Sequence, residues 1–138
     1  MYAWLVGIAI RRGFRRLNAG DPSGALDRFA PDAHFFFPGR HSWAADLRDP
    51  DQIRAWFQRF VELGPHFEIV DVIASGPPWN MRVGVRFSDR IALPGGGEYR
   101  NEGMQYVRIR WGRVRLDRIF LDTQAVADAD PLLSPAAS

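Results

Sequence analysis

Apolar residues in the first half of the chain recur at helical spacing. Over residues 4–18 they return every three or four positions with arginines between them, which predicts a helix that buries one face. A short second helix is expected over residues 22–30, since an aspartate and a proline precede its apolar positions. The clearest helix start is Asp49 to Gln52, which combines a capping carboxylate, a first-turn proline and a glutamine and predicts a third helix over residues 50–63.

The rest of the pattern favours strands. Residues 34–37 are aromatic on both faces, which predicts a short strand that is covered on both sides. After residue 66, apolar and polar positions alternate, and glycine- and proline-rich breaks divide the alternation into segments. The four predicted strands are 66–75, 80–92, 98–111 and 113–122. Short turns between consecutive strands favour an antiparallel meander, so the fold class is α+β, with helices on one face of a curved sheet.

The chain has 138 residues, the size of one domain. We assign the domain to residues 1–127 and expect a flexible tail over residues 128–138. The opening apolar stretch is too short to span a membrane, and its arginines follow it rather than precede it as in a signal peptide. A cytoplasmic location without a membrane partner is therefore expected.

Composition excludes several kinds of chemistry. There is no cysteine, so a disulfide, a thiolate nucleophile and a sulfur-ligated metal are absent. All 18 basic residues are arginine, yet the net charge is only +2, which argues against a nucleic-acid partner. The three histidines form no cluster with carboxylates at ligand spacing, and neither a metal nor a cofactor is expected.

Four segments in this order resemble the nuclear transport factor 2-like superfamily, in its SnoaL-like branch. They are the Leu17–Asp21 segment, the Phe29–Ala33 segment, the capped helix at 50–63, and Phe120–Asp122 at the end of the last strand. The resemblance covers roughly residues 4–126. It implies a cone-shaped α+β barrel, with three main helices packed on a strongly curved, mostly antiparallel sheet, a pocket inside the cone, and a homodimer through the sheet.

The superfamily includes ketosteroid isomerases, limonene-epoxide-type hydrolases and polyketide cyclases, so the fold alone does not define the reaction. The resemblance places the isomerase tyrosine on Phe14, its general base on Phe37 and its oxyanion-hole aspartate on Gln105. Steroid-type isomerisation needs a carboxylate at the base position, and Phe37 cannot accept a proton.

The epoxide hydrolase pattern places its arginine on Arg86, which is a candidate electrophile. Its paired aspartates fall on Ser88 and Ile119, although a shift of one or two residues would bring Asp89 or Asp117 into the site. The cyclase branch carries an acid–base aspartate after the last strand, where Asp122 stands. Asp122 is thus the first catalytic candidate, and the alternative is that it caps the helix that follows.

The pocket residues expected from the sequence are mostly aromatic, which predicts a small hydrophobic ligand. Asn101 and Gln105 share one strand face with Gly103 between them, so their amides are expected to orient a carbonyl across a hollow left by the glycine. A loop histidine near the pocket mouth is a further candidate acid or base. The set is Phe14, Phe35, Phe37, His41, Trp56, Phe60, Asn101 and Gln105.

The last strand contains a change of phase. Val114 and Leu116 alternate one way and Ile119 and Leu121 the other, and a bulge near Asp117 would explain the change. Such a bulge decides whether Asp117 or Asp122 faces inward. The leading hypothesis is acid–base conversion of a hydrophobic carbonyl or polycyclic metabolite. A non-catalytic binding or dimerisation domain and an epoxide hydrolase-like enzyme are the alternatives.

Overall fold

The part of the chain that the structure describes forms four helices and six strands. A computed structural model describes residues 2–133. Its elements are α1 (Tyr2–Asn18), α2 (Ser23–Leu26), β1 (Phe29–Phe37), β2 (Ala45–Leu47), α3 (Pro50–Val61), β3 (His66–Ser75), β4 (Met81–Ala92), β5 (Glu98–Arg110), β6 (Arg113–Leu121) and α4 (Thr123–Leu133).

The first three helices begin near the predicted positions. The Asp49 carboxylate accepts a hydrogen bond from the Asp51 amide at 2.8 Å, which confirms the predicted cap of α3. The second helix is shorter than predicted and ends at Leu26. Phe29, which was expected in that helix, instead begins β1 and lies opposite Val114 of β6.

The strands form one six-stranded sheet in the order β2-β1-β6-β5-β4-β3. Strands β3 to β6 pair as the predicted antiparallel meander. The first strand pairs in parallel with β6, a contact that joins distant parts of the chain within one sheet. The α+β cone that the sequence predicts is confirmed, and β2 is a short additional edge strand.

A bulge lies in β6 just before Asp117. Arg108 of β5 pairs with Leu116, whereas Ile109 pairs with Val114, so Arg115 is an extra residue in β6. The bulge lets Val114 and Asp117 both face inward although they are three positions apart. The change of phase seen in the sequence therefore has the expected structural cause.

The C-terminal helix corrects the prediction that a flexible tail begins at residue 128. Residues 128–133 belong to α4, and Leu133 is buried in the main hydrophobic core together with Val126. Residues 134–138 of the predicted tail lie outside the described residues.

The interior contains two groups of buried apolar side chains. The larger one lies between α3, α4 and the inner face of the sheet, and the smaller one lies between α1 and the middle of β4 and β5. Between them the two groups leave a cavity. Within residues 2–133, no helix is long and apolar enough to cross a membrane.

Candidate functional site

An internal cavity of about 260 Å³ lies between the helices and the concave face of the sheet. Six of the eight predicted ligand-binding residues line it: Phe14, Phe35, Phe37, Trp56, Phe60 and Gln105. Most of the other lining residues are apolar, including side chains from α1, α3 and every strand from β3 to β6. Such a lining favours an apolar ligand over water.

Aromatic rings form one wall of this cavity. Trp56 of α3 stacks on Phe60 with ring centroids 5.0 Å apart, and its ring lies 4.7 Å from that of Phe35 on β1. The helical spacing of Trp56 and Phe60 places both on the face of α3 that packs on the sheet. The contact of Trp56 with Phe35 explains why the strand over residues 34–37 is apolar on the face that packs against α3.

One carboxyl group lies in the cavity beside an amide. Gln105 on β5 donates a hydrogen bond from Nε2 to Oδ1 of Asp117 on β6 at 2.6 Å. Asp117 is only 3% exposed, and both residues line the cavity. No described residue donates to the other carboxylate oxygen, Oδ2. The two side chains therefore form a polar pair with one oxygen left for a ligand.

The surroundings of Asp117 set its protonation. Burial raises the pKa of Asp117 to about 7, and the hydrogen bond from Gln105 opposes that rise. A carboxyl group with such a pKa exists in both forms near neutral pH. It can therefore take a proton from a bound molecule and return one, which is the requirement for general acid–base chemistry.

A second carboxyl group lies in another part of the same cavity. Asp89 of β4 is 8% exposed, its Oδ1 has no hydrogen-bond partner among the described residues, and burial raises its pKa to about 7. The Tyr99 hydroxyl accepts a hydrogen bond from Asn101 Nδ2 at 2.8 Å. Burial, together with the negative charge of Asp89, raises the pKa of Tyr99, so its hydroxyl stays protonated as a donor.

One lining residue has a buried indole N–H without a partner among the described residues. Trp43, which is 2% exposed, lines the cavity, and its Nε1 makes no hydrogen bond to a described residue. Tyr99 and Trp43 were not among the predicted site residues. The two-residue alternation of β5 is the signal that places Tyr99 on the same face as Gln105.

The two carboxyl groups lie at separate positions along the sheet. Asp89 is opposite Asn101 of β5, whereas Asp117 is opposite Val107, six residues further along that strand. Six residues of a strand span roughly 20 Å. The geometry thus defines two polar positions in one apolar cavity rather than a single pair of adjacent carboxylates.

The expectation that Asp122 faces the pocket is corrected. Asp122 is exposed and does not line the cavity. Its Oδ1 accepts a hydrogen bond from the Ala125 amide at 3.1 Å, so it caps α4. The bulge in β6 turns Asp117 inward, and the start of α4 keeps Asp122 at the surface.

Arg86 is also placed away from the cavity. The burial of β4 alternates strictly, and Arg86 lies among the exposed positions of the outer face. An arginine there cannot polarise an oxygen of a molecule inside the cone. The predicted role of Arg86 as an electrophile is therefore wrong.

Two predicted ligand-binding residues do not line the cavity. Asn101 is engaged by Tyr99 and by the backbone carbonyl of Asp122, to which its Nδ2 donates at 3.0 Å. His41 lies within hydrogen-bond distance of its own loop, with Nε2 2.8 Å from the Pro38 carbonyl oxygen. Both side chains are therefore engaged with neighbouring protein groups and are not part of the cavity lining.

The predicted hollow at Gly103 is filled. A Cβ built on Gly103 would meet the Phe120 carbonyl oxygen and would lie 2.8 Å from the Leu121 Cβ. The glycine therefore permits a close approach of β5 and β6, and it leaves no space for a carbonyl group. Within residues 2–133, no group of three or more histidines and carboxylates is arranged to hold a metal ion.

The fold and cavity define a class of protein, an α+β cone that encloses an apolar pocket. Residues 10–116 match the sequence model of the SnoaL-like domain family, and the chain belongs to that family. A comparison with curated protein sequences finds no match.

Solved structures share this fold along most of the chain. Bal32a, from a soil-derived mobile gene cassette, is similar with a TM-score of 0.78 and 23% identity over 97% of this chain and 100% of its own. TerC co-crystallised with polyporic acid gives 0.74 and 17% identity, over 91% of this chain and 95% of its own. SalBIII, an epoxide hydrolase/cyclase-like enzyme in pyran ring formation in the polyether salinomycin, gives 0.70 and 15%, over 86% and 92%. At these identities the similarity shows the fold.

Proposed function

We propose that the cavity binds a small, largely apolar molecule with a carbonyl group and that Asp117 acts on it as a general acid–base. Gln105 orients the Asp117 carboxyl and leaves Oδ2 directed to the ligand. The observation that carries this proposal is a carboxyl group with a pKa of about 7, held by one amide donor inside an apolar cavity. A cyclase or isomerase step on such a ligand requires removal and return of a proton next to a carbonyl.

The epoxide hydrolase alternative has less support. Such a reaction needs an activated water and an electrophile for the epoxide oxygen, and Arg86 lies on the outer face. In the alternative of a non-catalytic binding protein, the cavity binds the same kind of ligand but transfers no proton. The experiment below separates this alternative from catalysis. The homodimer through the sheet and the cytoplasmic location stay predictions.

The proposed acid–base role can be tested without the natural substrate. A compact aromatic ketone such as 1-tetralone is incubated with the protein in D₂O, and deuterium at the carbon next to the carbonyl is followed by mass spectrometry. The Asp117 carboxylate removes a proton from that carbon, an enolate forms, and the carboxyl returns a deuteron acquired from solvent. The exchange rate is expected to rise as the pH passes through about 7, because the base form is needed.

The variants give this experiment its controls. Asp117→Asn should reduce exchange by about 100-fold or more, the usual contribution of a positioned base. Asp122→Asn should leave exchange within about twofold, because that exposed residue caps α4 and an asparagine also caps. Binding of the ketone with unchanged exchange in Asp117→Asn would contradict catalysis by Asp117 and favour a binding protein.

A further inference from the structure

Arginine side chains surround a recess on the surface between α1, α2 and the turn that joins β5 to β6. The recess is lined by Arg12, Arg16, Arg28 and Arg113, and the only acidic lining residue is Asp27. The whole chain has a net charge of only +2, so this group is a local concentration of positive charge.

These arginines form no salt bridge in the part of the chain that the structure describes, although hydrogen bonds from Ser23 and, to a lesser degree, the charge of Arg16 lower the pKa of the exposed Asp21. Among the described residues, none of the four has a carboxylate oxygen within 4.0 Å of its guanidinium. Arg113 donates to the backbone carbonyl of Asp27 at 2.8 Å, and Arg12, Arg16 and Arg28 are exposed without a protein acceptor in residues 2–133. The guanidinium groups are always charged, so they are available to an anion.

The recess adjoins the apolar cavity, and the two share lining residues. Arg28 lines both of them, together with four small residues: Ala9, Gly13, Gly24 and Gly112. Those four residues have little or no side chain, so few side-chain atoms separate the recess from the cavity. The Arg16 side chain lies over Gly24, where an added Cβ would be 2.9 Å from Arg16 Cδ. A single molecule can therefore lie with one end on the arginines and its body in the cavity.

We infer that the ligand is an amphiphilic anion whose carboxylate or phosphate binds the arginine recess while its apolar body fills the cavity. This inference rests on the proposed function of the cavity and adds the charge of the ligand. Arginine binds two oxygens of a carboxylate or a phosphate through two parallel N–H donors, which suits both head groups. The apolar lining of the cavity fits the apolar body of the ligand, and the arginines that form no salt bridge among the described residues fit its anionic head group.

The test compares two ligands with the same chain and different heads. Binding of decanoate, below its critical micelle concentration, and of decan-1-ol, below its solubility in water, is measured by isothermal titration calorimetry. Decanoate should bind about tenfold more tightly, in line with one or two charge-assisted hydrogen bonds. Added sodium chloride should weaken the binding of decanoate and leave that of the alcohol unchanged.

The three arginines without a protein acceptor in the described residues are then replaced in an Arg12→Gln/Arg16→Gln/Arg28→Gln triple variant. It should bind the two ligands with equal affinity, whereas Arg86→Gln on the outer face should keep the tenfold preference. Equal binding by the native chain, or a preference that survives in the triple variant, overturns the inference but leaves the pocket intact. If neither ligand binds, the proposed function of the cavity fails as well.

Discussion

Asp117 combines two properties that rarely occur together, near-complete burial and a titratable proton. Its carboxyl is 3% exposed and accepts one hydrogen bond, from Gln105. The unfolded chain would ionise this group near its ordinary value, whereas the folded chain keeps it protonated until about pH 7. Ionisation of Asp117 in the folded state therefore costs stability.

This cost predicts how stability depends on pH. The native state binds more protons than the unfolded state between about pH 4 and about pH 7, so stability falls as the pH rises through this range. For a fully buried carboxyl with this pKa the loss reaches up to about 4 kcal/mol. Asp117→Asn has no proton to lose and should be more stable than the native chain at about pH 8, with the advantage disappearing near pH 4.

Urea denaturation over a series of pH values measures this difference. Asp89 contributes a similar fall in both proteins, so the comparison isolates Asp117. Asp122→Asn serves as the control for the loss of an aspartate that does not line the cavity. Parallel curves for Asp117→Asn and the native chain would show that Asp117 ionises in the folded state at its ordinary pKa.

At the scale of elements, the contact between β5 and β6 positions the polar pair. Gln105 lies on β5 and Asp117 on β6, and Gly103 lets the backbones approach near Leu121. The bulge at Arg115 sets which side chains of β6 face the cavity. A change that separates these two strands should therefore disturb both stability and the site.

Gly103→Ala tests the importance of this approach. Its Cβ would meet the Phe120 carbonyl oxygen, which is backbone and cannot move without a shift of β6. We expect a loss of at least about 2 kcal/mol in the free energy of unfolding. The matched control is Gly84→Ala on β4, where the added Cβ meets only Met104 Cε at 3.5 Å, an ordinary contact. Equal stability of the two variants would contradict a special role for Gly103.

The elements also show what the sequence could predict. The start of α3 and the meander rest on local signals, a capping carboxylate and alternating residues, and both are confirmed. The predicted end of α2 was wrong because Phe29 pairs with Val114 of β6, far along the chain. The inward direction of Asp117 was left open because it depends on a bulge, and a bulge is fixed by pairing with a neighbouring strand.

At the scale of the whole molecule, the cone gives each part of the cavity a different character. Aromatic side chains cover one wall, and Asp117 and Asp89 lie at separate positions in the cavity. Arginines line the adjoining recess. Six of the predicted pocket residues line the cavity, and five of them are aromatic residues whose helical or strand spacing makes them core residues in any arrangement. The sequence placed Asp122 and Arg86 in the site through the resemblance alone, and the geometry of this chain moves both to the surface.

The most direct test of the central claim is a ¹³C NMR titration of the side-chain carboxyl groups, in the presence and absence of 1-tetralone. We predict one resonance that is missing in Asp117→Asn, titrates with a midpoint near pH 7 and shifts when the ketone is added. The account would be contradicted if that resonance titrated near the ordinary pKa of an aspartate or did not respond to the ketone.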